Sequence, residues 1–237
     1  MAVRFLLNGA MRAEEKIPPT MTVLDYLRGV ARLTGTKEGC AEGDCGACTI
    51  VIGERGNGAT QYRAVNSCLM MLPQLDGCDV ITVEGLAQPD GTLHPVQQAL
   101  ADADATQCGF CTPGFVMAMV AFAQGGEDGS DENIHDALAG NLCRCTGYRP
   151  IVEACRKIAG QAESALPATP LPAMPPSTEY KNGHQVCFLP RSLDEFLTLR
   201  AKHPDALIFA GGTDLGLQLS KERAQFPAVI LTSGCAN

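Results

Sequence analysis

No stretch of this 237-residue chain comes near the run of about 18 apolar residues that a membrane helix needs, so no span is expected. The opening segment, MAVRFLLNGAMRAEEK, has neither a long apolar region nor a small-residue cleavage site. That argues against a secretory leader and for a cytoplasmic protein. Basic runs are missing too: Lys and Arg total 18 against 26 Asp and Glu, a formal net charge of −8. With nothing to neutralise a phosphate backbone, nucleic acid is not an expected partner. There is no tryptophan and no repeat at a fixed period. The four histidines, His94, His135, His184 and His203, lack metal-ligand spacing and read as surface or capping residues. Against these absences stand 12 cysteines. In a reducing compartment so many thiols point to metal before disulfides. The composition, 46% apolar and 19% charged, is globular, and the length suits two or three compact units.

Texture divides the chain. Residues 1–86 are strand-rich: Val3, Phe5 and Leu7 alternate with Arg4 and Asn8 and run into a turn at Asn8-Gly9. Thr49–Ile52 and Val80–Val83 are short β-branched runs. Thr22 is placed to cap one helix carrying Val23, Leu24, Leu27 and Val30, with Asp25 three residues on. A small mixed sheet holding one helix fits. Residues 87–165 turn helical, with Pro95 and Thr112-Pro113 opening two helices, Ile134, Ala137, Leu138 and Leu142 marking a third, and Pro150 opening a fourth. The second is apolar nearly all round from Phe115 to Ala123 and so is expected at the centre of a bundle. A proline-rich linker is expected over 166–186. A helix near Ser192–Arg200, a strand at Ala206–Phe209 and a glycine turn follow, the start of a unit over 187–237 that is too short for a typical domain.

The cysteines fall into two constellations. GCAEGDCGAC supplies Cys40, Cys45 and Cys48, with Cys68 after nineteen further residues; C-x4-C-x2-C with a distant fourth Cys is the plant-type [2Fe-2S] spacing. Gly39, Gly43 and Gly46 let the backbone fold tightly and turn N–H groups toward the sulfurs. Structural zinc is the competing reading, but zinc usually takes C-x2-4-C pairs rather than three ligands in one glycine-rich loop. Cys108-x2-Cys111 and Cys143-x-Cys145 form the second set, which by itself suits iron–sulfur or zinc equally. Of the remaining four, Cys155 lies on an apolar helix face and reads as a small core residue, and Cys78, Cys187 and Cys235 have no assigned role. The segment LIFAGGTDLGLQL (Leu207–Leu219) is not G-x-G-x-x-G; it reads either as a pyrophosphate cradle or as an ordinary strand–turn–helix.

In order, GCAEGDCGAC, TQCGFCTPGF and NLCRCTGY resemble the iron–sulfur portion of the xanthine dehydrogenase family of molybdenum hydroxylases. The resemblance covers residues 1 to about 165, with all eight ligand cysteines in place. Residues 188–237 are less specifically similar to the start of that family's flavin domain. The implied fold class is α+β: a plant-ferredoxin-like β-grasp [2Fe-2S] domain, a four-helix-bundle [2Fe-2S] domain, then the start of an α+β FAD-binding domain. The resemblance implies Cys40, Cys45, Cys48 and Cys68 as ligands of one cluster and Cys108, Cys111, Cys143 and Cys145 as ligands of the other. It implies FAD against Ala210, Gly211, Gly212, Thr213, Asp214 and Leu215, and Gln107 with Cys145 beside the molybdopterin of a partner subunit. No catalytic residue is expected in this chain.

The implied activity is electron relay in purine (hypoxanthine or xanthine) hydroxylation, from the partner's molybdenum through both clusters to FAD and then NAD. The implied assembly is a heterotetramer of two small and two large subunits. An aldehyde or N-heterocycle substrate is the alternative, and a zinc-stapled, non-redox interaction protein a remoter one.

Overall fold

The apolar residues of Val3–Leu7 form strand β1, and Asn8 and Gly9, at φ of 51° and 78°, turn the chain back as β2 (Ala10–Glu14). A computed structural model of the chain describes residues 2–56, 59–161, 166, 169–173 and 178–235. Strands β3 (Thr49–Arg55), β4 (Thr60–Asn66) and β5 (Asp79–Ile81) complete a sheet in the order β2-β1-β5-β3-β4. Only the β1–β5 pair is parallel. Helix α1 (Val23–Asp25) starts where expected, with the Thr22 hydroxyl accepting from the Asp25 N–H at 3.0 Å. It continues as a wider turn through Val30, burying Tyr26 and Leu27 and leaving Val30 47% exposed. Tyr26, which the helical spacing did not mark, fills the core and donates its hydroxyl to Glu14.

Four helices follow: α2 (Pro95–Asp102), α3 (Thr112–Gly125), α4 (Asp131–Leu138) and α5 (Arg149–Ile158). They share one apolar core, in which α3 is buried from Gly114 to Val120, as its all-round apolar sequence predicts. Helix α4 is shorter than the spacing suggests. It ends at Leu138, and Leu142 lies beyond it in a loop, 54% exposed, because Ala139-Gly140 stop the helix and the Leu142 N–H is committed elsewhere.

The proline-rich segment is partly tied down: the Arg55 guanidinium donates to the carbonyls of Leu171 and Pro172. Of the linker expected over 166–186, residues 167, 168 and 174–177 lie outside the described residues. Its end is not linker. Thr178–Asn182 is strand β6, paired antiparallel with β7 (Gln185–Leu189). Thr178 and Tyr180 point inward while Lys181 faces solvent, a period-two signal that the neighbouring prolines obscured. With β8 (Leu207–Phe209) and β9 (Ala228–Leu231) these form a second sheet, β6-β7-β9-β8, flanked by α6 (Leu193–Lys202) and α7 (Leu215–Ser220).

One face of this second sheet shares the first unit's core, while Phe188, Ala206 and Ile230 form a small cluster of their own. Tyr180, Cys187, Leu189, Phe209 and Val229 pack in one cluster with Phe5, Leu7, Tyr26, Leu72 and Leu75 of the first sheet's unit. A pair between Arg191 and Asp76 at 2.8 Å, with the Asp76 side chain 1% exposed, fastens the same contact. Among the described residues no helix is long and apolar enough to cross a membrane.

Candidate metal centres

The first cysteine loop lies between the α1 turn and β3. Gly43 and Gly46 sit at φ of 85° and 67°, which a residue with a side chain rarely adopts. Gly39 is required for space instead: a Cβ there would lie 2.8 Å from Cys45 Sγ. The tight fold aims donors at sulfur, as the glycine spacing predicted. Cys40 Sγ accepts from the Glu42 and Cys45 N–H groups at 3.4 Å each, and Cys45 Sγ from the Cys40 N–H at 3.3 Å. Burial pushes the Cys40 thiol up, but these N–H groups outweigh it and hold it below its ordinary value. Cys48 and Cys68, both buried, share a thiol hydrogen bond. That bond from Cys68 brings Cys48 down to about 7 in spite of burial, and the same bond raises Cys68.

The second set is assembled from two loops, with Cys108 and Cys111 between α2 and α3 and Cys143 and Cys145 between α4 and α5. Cys145 Sγ meets Cys108 Sγ at 3.6 Å, and Cys111 is hydrogen-bonded to Cys143. Burial raises Cys111 to about 12, helped by its bond to Cys143. Burial also opposes ionisation of Cys143, yet hydrogen bonds from the Thr146 hydroxyl and N–H win, and its thiol falls to about 7.

The eight thiols therefore meet two by two: Cys40 with Cys45, Cys48 with Cys68, Cys108 with Cys145, and Cys111 with Cys143. A tetrahedral zinc site asks for four ligands on a single point. A two-iron cluster held by four cysteines asks for two on each iron. The pairing, with N–H and O–H donors already pointing at sulfur, fits the second donor set.

The two sets touch through backbone. The Leu142 N–H, next to Cys143, donates to the carbonyl of Cys45 at 3.0 Å. Buried Asn141 donates to the Gly46 carbonyl at 3.0 Å and to Thr49 Oγ1 at 3.3 Å. Gly114, in the first turn of α3, lies flat on Gly46, so a Cβ there would collide with the Gly46 carbonyl oxygen. Asn141 and Gly114 escaped sequence reasoning; a glycine interrupting an apolar helix and a polar residue just before C-x-C were the available signals.

The second set is open to solvent: Cys108, Cys145 and Gln107 are exposed, as are Phe110, Leu142 and Tyr148 nearby in sequence. Cys155 and Cys187 are fully buried and Cys78 nearly so, each pushed up by burial, with Cys78 and Cys155 reaching about 12. The histidines stay away from both sets. His94 caps α2 and His203 stacks on Phe188 with ring centroids 4.5 Å apart, while His135 and His184 are exposed.

The glycine turn follows β8. Gly211 and Gly212 have φ of 50° and 81°. Their reasons differ. A Cβ at Gly212 would strike the carbonyl oxygen of Leu69, the residue after Cys68, whereas nothing lies within 4 Å of a Cβ at Gly211. Ala210, Gly211, Thr213 and Asp214 form an exposed outer edge. Just beyond it, α7 grips the first cysteine loop: Ser220 Oγ donates to the Ala41 carbonyl at 2.6 Å, and Lys221 pairs with Glu42.

Two domain families match the chain: a 2Fe-2S iron-sulfur cluster binding domain over residues 5–72, and a [2Fe-2S] binding domain over residues 82–156. Xanthine dehydrogenase of Drosophila subobscura is 36% identical over an alignment of 274 positions, covering 95% of this chain and 20% of that protein. Aldehyde oxidase 1 of Rattus norvegicus is 49% identical over 155 residues, covering 64% of this chain and 12% of that protein. The chain thus spans about a fifth or less of these relatives' length. Among solved structures, quinoline 2-oxidoreductase from Pseudomonas putida 86 matches with a TM-score of 0.57 and 38% identity, covering 69% of this chain and 93% of the matched one.

Proposed function

The chain belongs to the xanthine dehydrogenase family, and from that membership we propose that it is the electron-transfer part of a molybdenum-containing hydroxylase. The observation that carries the proposal is the two-by-two meeting of eight thiols in two sets that touch through the Leu142–Cys45 hydrogen bond. Cys40, Cys45, Cys48 and Cys68 would hold one [2Fe-2S] cluster, and Cys108, Cys111, Cys143 and Cys145 the other. When bound, such clusters take up and release single electrons. The chain's own task is positional. Gly46, Gly114 and Asn141 keep the loops in contact, and the N–H groups of Cys40, Glu42 and Cys45 offset thiolate charge.

Substrate bond chemistry would fall to a molybdopterin-binding partner, so no residue here is assigned a catalytic role. The exposed rim of Gln107, Cys108, Phe110 and Cys145 suits contact with that partner, with Gln107 and Cys145 beside the pterin. Two small and two large subunits form the proposed assembly. Ala210–Leu215 would take the FAD pyrophosphate along its exposed edge, with NAD as final acceptor. Gly211 leaves the room for it; Gly212 is a glycine for a different reason, the approach of Leu69.

Purines are the proposed substrates, and the 49% identity to an aldehyde oxidase over a shorter, 155-residue match keeps aldehydes as a second reading. The test is anaerobic mixing of the complete enzyme with hypoxanthine, xanthine or an aldehyde while the cluster absorbance is followed. Bleaching by the purines, and NAD reduction afterwards, is expected; bleaching by the aldehyde alone selects the second reading. Gly211→Val should lower flavin content and NAD reduction while leaving substrate bleaching intact. Full flavin occupancy in that variant would return the turn to an ordinary strand–turn–helix. Gly212→Val would be the wrong probe, since it also disturbs Leu69 beside Cys68.

A further inference from the structure

The turn after Cys145 contains a hydroxyl whose only proton is directed at sulfur. Thr146 Oγ1 lies 3.2 Å from Cys143 Sγ, and the Thr146 N–H approaches the same atom at 3.5 Å. The hydroxyl's acceptor side is already engaged, because the Tyr148 N–H donates to Thr146 Oγ1 at 3.2 Å. A metal-bound thiolate has no proton to give, so the remaining hydroxyl proton must point toward the sulfur.

Three further features hold this arrangement. Tyr148 has φ of 68°, a backbone state that non-glycine residues seldom adopt. Its hydroxyl accepts from the Cys143 N–H at 3.0 Å, and its ring packs edge-on to buried Phe115 with centroids 6.4 Å apart. A backbone outlier fixed by packing on one side and by the cysteine itself on the other is the mark of a built feature.

We propose that Thr146 is a positioning residue that sets the reduction potential of the second cluster by donating its hydroxyl proton to the Cys143 thiolate. The inference rests on the assignment of Cys143 as a cluster ligand. One-electron reduction adds one negative charge to the cluster and its thiolates. A donor aimed at Sγ is then held more strongly in the reduced form than in the oxidised one, and the potential rises. The donor acts on the pair Cys111–Cys143, which is the inner pair: the Leu142 N–H beside Cys143 is bonded to Cys45 of the first set. Raising the potential there favours the electron on the side facing the other cysteine loop.

The experiment is an anaerobic redox titration of the full chain with dithionite and mediators. Both clusters are read by EPR, and the second signal is assigned by its absence from Cys143→Ala. At the potential where the unmodified second cluster is half reduced, Thr146→Val and Thr146→Ala should cut the reduced-to-oxidised ratio about tenfold, a lowering of about 59 mV for one electron. Thr146→Ser should restore the original value, and the first cluster should not move in any variant. Unchanged potentials in Val and Ala would overturn the proposal. An equal fall in Ser would do so too, since the turn rather than the hydroxyl would then be responsible. Loss of the second cluster from both Val and Ala would count against it in the same way, because the hydroxyl would be holding the loop together. Absence of any second cluster from the unmodified chain would instead overturn the ligand assignment beneath it.

Discussion

Protein carrying Cys45→Ala is expected to keep about two irons per chain where the unmodified chain keeps about four, and Cys143→Ala is expected to do the same. The two variants should lose different halves of the spectrum. Cys45 belongs to the tight loop in which N–H groups of the chain itself face sulfur, and Cys143 to the loop ordered by Thr146 and Tyr148. Each cluster has its own hydrogen bonds and exposure, so each should give its own EPR signal on reduction. Cys155→Ala is the control. That thiol is fully buried in the helical core and belongs to neither set of paired thiols, so removing it should cost about 1 kcal/mol of packing and no iron. Loss of iron from Cys155→Ala, or retention of both signals in Cys45→Ala, would break the assignment.

The second large effect is expected where the two loops meet. Within a helix, glycine to alanine ordinarily stabilises by up to about 1 kcal/mol. Gly125, in the last turn of α3, should follow that rule, because a Cβ there meets only the Glu127 side chain, at 3.8 Å. Gly114, in the first turn of the same helix, should reverse the sign. Its Cβ would enter the Gly46 carbonyl oxygen and come within 3.0 Å of Asn141 Nδ2. Gly46 has little freedom to withdraw, being at φ of 67° between two candidate ligands, Cys45 and Cys48. Overpacking of this kind costs about 1–3 kcal/mol. Gly114→Ala should therefore lower the unfolding midpoint and weaken any magnetic coupling between the clusters, while Gly125→Ala leaves both unchanged or slightly improved. Two alanine variants of equal stability would show that the close approach is not what holds the loops together.

These expectations also mark what a linear sequence discloses. Cysteine spacing carried the two constellations because ligand distance along the chain is set by the loop that must wrap the site. The helices opened by Pro95, Thr112-Pro113 and Pro150 and the Thr22 cap were legible for a similar reason, being rules about near neighbours. What stayed hidden was decided by partners far along the chain. Leu142 left its helix because its N–H serves Cys45, 97 positions earlier. Gly212 is small for Leu69, not only for a ligand. Thr178–Asn182 forms a strand directly after the proline-rich stretch, where Tyr180 finds a buried seat in the core it shares with the first sheet.

The most direct test of the whole account is to purify the full chain anaerobically, record its visible spectrum, and count iron, zinc and acid-labile sulfide. Two [2Fe-2S] clusters on the eight paired thiols require a red-brown protein with about four irons and about four sulfides per chain. A colourless protein containing zinc and no labile sulfide would contradict it.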